Sequence, residues 1–369
     1  MAKQYRLMNT PKSVDIDVTS RCNLKCLYCS HRTSAADTRN ERSTAEWTKF
    51  IEECGKAAVM SITIGGGEPF IREDLAEIIH AIVKNRMRFS ILSNGGLITP
   101  EIASYIKSTR RCNHVQISID GSCPDTHDRF RGAKSFEAAI RGIRILQNAG
   151  VIVTSRITIH RYNIHDLENT AHLLLDEIGL ESISTNSVSH LGLAQEHEKE
   201  VQLSPLEMCD AMERILLLAE KYRQQITAQA GPLSLGKAYQ EMECARIEGR
   251  EIPHRGFLTG CGCMWQKITV RPDGVYVPCG MLAHIELGRI NQDSLIDIWQ
   301  NNRELQKLRE RYLIPLDSFP ECADCEYRMT CTGNCPAGAF TRTGDVYAPS
   351  PDGCLKQFLA NGGRIVQVM

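Results

Sequence analysis

The sequence predicts an α/β protein, a parallel sheet of six β/α units followed by a small cysteine-rich unit with a β-hairpin and a helix. Three observations predict it. Six short β-rich runs alternate with longer amphipathic segments between residues 13 and 189. Two apolar runs flank a Pro-Asp-Gly turn at 268–279. Eight of the sixteen cysteines fall after residue 258.

The β-rich runs are SVDIDVT (13–19), SITIGG (61–66), RFSILS (88–93), HVQISID (114–120), IVTSRITI (152–159) and SISTNSVS (182–189). Segments 45–58, 74–85, 100–108, 136–148 and 164–178 between them have helical apolar spacing. Thr99 is placed as an N-cap with Pro100 at the first helical position, and Gly150 stops the fourth helix. The alternation implies parallel strands joined by right-handed crossovers. Six units are fewer than a full eight-fold barrel, so the pattern fits a partial barrel or a doubly wound open sheet alike. In either, ligands gather at the carboxyl ends of the strands. A helix follows at 205–225, with Leu206, Met212, Ile215, Leu216 and Ala219 on one face. The sheet domain is thus drawn over 11–230, an irregular linker over 231–257, and the cysteine-rich domain over 258–358, with its hairpin and a helix at 293–312. A tail covers 359–369.

Composition is that of a soluble globular chain: 42% hydrophobic, 24% charged, net charge -1. Near-cancelling charge leaves no footprint for nucleic acid or an anionic membrane, and charge runs such as 39–42 and 303–311 read as solvated faces. No stretch is long and apolar enough to span a bilayer, and MAKQYRLMNTPKS lacks a signal-peptide core, so the chain is expected to be cytoplasmic. Cytosolic thiols stay reduced, which makes metal binding the leading account of the cysteines. Cys54, Cys112, Cys123, Cys209 and Cys244 stand apart from the clusters and are expected to be small packed hydrophobes.

After the first strand comes CNLKCLYC, placing Cys22, Cys26 and Cys29 in a C-x3-C-x2-C spacing. Three thiolates on one tight loop hold three irons of a cubane and leave the fourth open, whereas structural zinc and electron-carrier cubanes want four protein ligands. The spacing, with Tyr28 before the third cysteine, resembles the radical S-adenosylmethionine (SAM) superfamily. The resemblance implies a partial (β/α)6 TIM-like barrel. It also implies a [4Fe–4S] cluster whose open iron chelates SAM, and reductive cleavage to a 5′-deoxyadenosyl radical that abstracts a substrate hydrogen atom. It assigns Gly66, Gly67 and Glu68 of the GGEP turn to the methionine amino group. Glycines let backbone approach a ligand, and a carboxylate can pair with an ammonium. Asn94 and Ser118 match contacts to ribose and carboxylate, and Arg156 is placed to reach the carboxylate from inside the sheet. His31, His160 and His165 near the same rim are expected to be surface or supporting residues.

Downstream, Cys322, Cys325, Cys331 and Cys335 are spaced C-x2-C-x5-C-x3-C, with Cys354 beyond, and Cys279 closes a Gly274-x4-Cys motif. Read alone, two thiolate pairs also fit a zinc module. The full set resembles the SPASM domain, which holds two auxiliary [4Fe–4S] clusters. The resemblance gives Cys322, Cys325, Cys331 and Cys354 to an outer cluster and Cys279 and Cys335 to an inner one. The remaining inner ligands come from Cys261 and Cys263: either both serve, or one does and a site stays open.

The architecture resembles enzymes that modify ribosomally made peptides or proteins by crosslinking or oxidation. Relatives acting on a tetrapyrrole precursor or aminosugar supply the alternative. Gly280 stands where the sulfatase-maturing branch has a catalytic Asp, so the base is sought among Asp120, Asp125 and His284. The expected partners are a peptide or small-molecule substrate, an external flavodoxin- or ferredoxin-type electron donor and a separate leader-peptide recognition protein.

Overall fold

A computed structural model describes residues 7–30 and 40–367; His31 lies outside them. Ten strands form one sheet: β1 (Ser13–Thr19), β2 (Ser61–Gly66), β3 (Arg88–Ser93), β4 (Cys112–Ser118), β5 (Val153–Ile159), β6 (Ile183–Ser187), β7 (Ile226–Ala228), β8 (Lys267–Val270), β9 (Val275–Val277) and β10 (Gly288–Arg289). Their order is β10-β9-β8-β1-β2-β3-β4-β5-β6-β7, parallel from β8 to β7. The six expected strands lie in strict sequence order. Every crossover therefore steps the same way round, as in a barrel, with no reversal of the kind that defines a doubly wound sheet.

Four strands extend this core. β7 adds at one edge. At the other, the hairpin expected to belong to a separate unit pairs β8 in parallel with β1, matching Asp15 to Thr269, and carries β9 and β10 antiparallel beyond. The linker expected over 231–257 is another correction, because Pro232–Ile247 is a helix. Its Leu233, Gly236, Tyr239, Met242 and Ala245 turn inward at helical spacing. Gly231, Pro232 and Gly236 masked that pattern, although Pro at a first helical position is favourable.

The outer face of the sheet is apolar. Val14, Ile16 and Val18 of β1 are fully buried against helix α1 (Thr44–Lys56), where Trp47, Phe50 and Ile51 are also fully buried. Truncating Phe50 to Ala there costs about 3–5 kcal/mol. A Ser43–Glu46 capping box starts α1, and Thr99 caps the helix at Pro100–Ser108 as expected, accepting from the Ile102 N–H. Between β4 and the helix Ser135–Asn148 lies an unexpected short helix, Pro124–Arg131. The 164–178 segment is not one regular helix. It runs from a 3-10 turn into α-helix Leu167–Ala171 and ends in a π-helical turn, His172–Glu177. In helix Pro205–Lys221, Met212, Ile215, Leu216 and Ala219 are buried, but Leu206 is 71% exposed, because helical spacing turns it well away from the face those four share. Among the isolated cysteines, Cys54 and Cys209 are buried and Cys244 is exposed, contrary to expectation.

The cysteine-rich unit is bolted to the sheet. The Trp299 indole donates to the Met8 carbonyl (2.8 Å), and the Leu295 N–H to Glu53 of α1 (2.7 Å). The expected 293–312 helix breaks at Asn302, which caps the second half, Arg303–Glu310, through the Leu305 N–H. Among the described residues no helix is long and apolar enough to cross a membrane.

Candidate active site and cluster-binding loops

Strand β1 delivers the chain to the cysteine loop. A cavity of about 580 Å3 opens at the carboxyl ends of the strands, lined by Cys22, Cys26 and Cys29 together with Gly66, Gly67, Asn94 and Ser118. Cys29 N–H donates to the Cys26 carbonyl (3.2 Å) and Leu24 N–H to Cys22 Sγ (3.5 Å), so the loop turns its thiols to one side. Burial above all pushes both Cys22 and Cys26 up; Cys29 adds to the rise at each, and Cys22 adds to it at Cys26. Iron binding is what would hold them as thiolates.

The glycine run is dictated by close approach. Gly67 N–H donates to the Thr19 carbonyl (2.8 Å), Glu68 N–H to the Arg21 carbonyl (2.9 Å), and a Cβ on Gly67 would lie 2.1 Å from Arg21 O. Gly66 sits at φ +114°, the positive-φ region that favours glycine. Glu68 itself is fully buried and does not line the cavity. Its carboxylate accepts from Phe70 N–H (3.2 Å), Ser93 Oγ (2.9 Å) and Asn94 N–H (2.8 Å), and burial pushes its pKa up to about 7. It ties the ends of β2 and β3 together. An ammonium in the cavity would therefore meet the backbone of residues 65–67 rather than this carboxylate. Asn94 is held by Asn23 (2.8 Å). Arg156 lies below the cavity in register with Ser118 and Ser184, its Nε buried without a partner.

Behind the loop is a buried polar network. Asp120, fully buried, accepts from Arg131 Nε (2.5 Å), Thr158 N–H (2.8 Å) and the Tyr28 hydroxyl. Burial opposes its ionisation, but the Arg131 guanidinium outweighs that and holds it below the usual carboxylate range. Tyr28 thereby lines the cavity with its hydroxyl anchored, and Leu27 N–H donates to the Phe130 carbonyl (2.9 Å). None of the three expected bases faces the cavity. Asp120 is locked beneath Tyr28, Asp125 is exposed on helix Pro124–Arg131, and the exposed His284 stacks on Phe340 at 3.8 Å. His165 is exposed, whereas His160 is fully buried with Phe130 at 4.2 Å and Tyr28 at 5.8 Å.

The cavity wall holds residues that sequence reasoning missed. Asp15, Asp17, Thr63 and Thr269 line it, and Gly280 completes the rim beside Cys279 without a side chain. Lys267 Nζ pairs with Asp15 (2.5 Å), and Thr269 Oγ1 is buried without a partner. The signal was present in SVDIDVT, because a buried parallel strand is ordinarily apolar on both faces and here one face is acidic. Arg131 was hidden because its helix was not foreseen.

The remaining cluster cysteines form two groups. Cys322, Cys325, Cys331 and Cys354 line one cavity of about 270 Å3. Cys261 and Cys263 hydrogen-bond each other, which pushes Cys261 up and Cys263 down. Cys335 is within electrostatic reach of Cys261, and Cys279 of Cys263. Among the described residues no three His, Cys, Asp or Glu side chains close on the point that a single ion requires. The all-thiolate donor set of each group suits iron–sulfur.

Residues 16–174 match the radical SAM superfamily, and residues 261–326 match an iron–sulfur cluster-binding domain, SPASM. The chain is a radical SAM enzyme with a SPASM domain. Its cofactors are a [4Fe–4S] cluster, SAM and auxiliary iron–sulfur clusters. The radical SAM enzyme is 27% identical to an AdoMet-dependent heme synthase of Methanosarcina barkeri, covering 94% of this chain and 97% of that protein. It is 26% identical to the mycofactocin maturase of Mycolicibacterium smegmatis, over 94% and 83% of the respective chains. Among solved structures, SuiB of Streptococcus suis bound to its precursor peptide superposes with a TM-score of 0.72 at 15% identity, over 95% of this chain and 77% of that one. anSMEcpe with bound AdoMet superposes at 0.66 and 17% identity, over 95% and 96%.

Proposed function

We propose that this enzyme modifies a peptide segment inserted at the mouth of the barrel, with the SAM-binding cluster on Cys22, Cys26 and Cys29. When bound, that cluster supplies the electron that splits the sulfonium of SAM and so yields a 5′-deoxyadenosyl radical. The chain's own residues do the positioning. The backbone of residues 65–67, Asn94 and Ser118 cradle the cofactor, Tyr28 and Arg131 close the wall behind it, and the barrel excludes water. Reducing equivalents come from a flavodoxin- or ferredoxin-type donor.

The observation that carries the peptide reading is the acidic wall. Asp15 and Asp17 face the cavity among Thr63, Asn186, Ser187 and Thr269. The cations on its lining are already engaged, Arg131 with Asp120 and Arg21 with Glu41 (3.5 Å). Asp15 is itself paired with Lys267 (2.5 Å), so the wall offers hydrogen-bond acceptors to amide donors rather than two uncompensated charges. Asp17, on the cavity lining, is the candidate acceptor for a proton leaving the substrate. Crosslinking and oxidation both fit this site.

The near-full-length match to a heme synthase favours a second reading, a tetrapyrrole substrate. The two separate in one anaerobic experiment with reconstituted enzyme, SAM and reductant. Synthetic peptides encoded by short reading frames beside its gene should change mass while 5′-deoxyadenosine accumulates. Conversion of iron coproporphyrin III with every peptide unchanged would overturn the peptide reading.

A further inference from the structure

Four arginines are buried among the described residues, and three have a partner for their charge. Arg72 pairs with Asp74 and Arg131 with Asp120, each at 2.5 Å. Arg309 lies 4.3 Å over the Trp299 ring, a cation–π contact. Arg311 is 1% exposed and donates only to neutral carbonyls: Thr259 (2.6 Å), Val346 (2.7 Å), Ala348 (2.7 Å) and Asn334 (3.3 Å). A guanidinium taken out of water without a counter-charge is strongly disfavoured.

The placement of this charge is specific. Thr259 lies two residues before Cys261, and Asn334 immediately precedes Cys335, so one side chain clamps two cysteine loops. Burial pulls the Arg311 pKa down to about 10. The negative groups that reach it are, in order of strength, Cys335 and Cys261, then Asp345 and Tyr347.

We propose that Arg311 is the built-in counter-charge of the inner auxiliary cluster, clamping its ligand loops and favouring its reduced state. The inference rests on Cys261, Cys263, Cys279 and Cys335 holding that cluster. An all-thiolate cluster is anionic and gains negative charge on reduction, so an adjacent fixed cation stabilises the reduced form more. The missing partner of the guanidinium is then the cluster itself. A cluster poised this way is the better acceptor for an electron released from a substrate radical.

The test compares R311Q, which removes the charge, with R311K, which keeps it but loses the planar fork. Both are made in the full chain and read by iron content and an EPR-monitored potentiometric titration. The inner cluster is the signal that C335A lacks. R311Q should lower the reduced-to-oxidised ratio at fixed potential about tenfold, which is about 59 mV for a one-electron couple, while R311K stays near wild type. If R311Q fails to load iron, loading by R311K with an unshifted potential still supports the charge. Equal shifts or equal iron loss in both variants, or no change in either, would overturn it. If C335A loses no iron, the ligand assignment fails instead. If C335A loses about four irons per chain and R311Q leaves the potential unmoved, only the role of Arg311 fails.

Discussion

Acid should loosen the seat of the radical-generating loop through His160. This residue is fully buried, its Nε2 has no partner, and its Nδ1 accepts from the Tyr162 N–H (3.3 Å). Burial depresses its pKa from 6.5 to about 4. Asp120 works against that shift, while Arg131 and Arg129 add to it. Since the unfolded chain takes up the proton more readily, the contribution of His160 is fully present above pH 6.5 and is lost as pH falls toward 4. The full loss is about 3 kcal/mol, of which roughly 2 kcal/mol has gone by about pH 5. His127, also depressed to about 4, behaves alike, so the wild-type profile alone does not isolate one histidine. His160→Phe does. It removes the titration, and any packing offset against Phe130 is independent of pH. Urea unfolding of the metal-free chain at about pH 7.5 and about pH 5 should show the variant losing roughly 2 kcal/mol less than wild type between the two. Parallel profiles would refute the reasoning, since His160 would then be hydrated or hydrogen-bonded in the folded protein.

Other perturbations reach the remaining parts of the site. Gly67→Ala places a methyl 2.1 Å from the Arg21 carbonyl, so SAM binding measured by equilibrium dialysis should be lost while the auxiliary clusters still load. Cys325→Ala should remove about four irons per chain and leave cofactor cleavage intact, as read by iron assay and 5′-deoxyadenosine yield. Asp17→Asn should spare uncoupled SAM cleavage and cut peptide product about a hundredfold, the lower end of the range for general-base loss, checked by mass spectrometry.

Much of this architecture was legible in the chain, and the unread parts have physical reasons. The six strands could be read because β-branched runs between helical spacings leave little choice, as SITIGG and RFSILS illustrate. Pattern alone could not choose between barrel and open sheet, because strand order depends on which way each crossover steps. β7 was missed, and β8, read as a hairpin strand, was not placed beside β1, because three- and four-residue strands are defined by their neighbours. The cysteine groups were legible because tight loops fix thiols by spacing. Asp17 and Arg131 were harder, since a lumen-facing carboxylate looks like any polar residue until the strand's other face is seen buried. Glu68 shows the converse case. Its place in GGEP was plain, but its orientation toward Ser93 and Asn94 depends on β3, which lies elsewhere in the sequence.

Radical generation in this enzyme requires a cubane held by three thiolates at the end of β1. The most direct measurement is metal analysis of anaerobically reconstituted wild type beside the Cys22→Ala/Cys26→Ala/Cys29→Ala chain. About twelve irons per wild-type chain and about eight in the triple variant, with 5′-deoxyadenosine formation abolished, is the predicted result. Equal iron in the two proteins, or zinc in place of the missing iron, would contradict it.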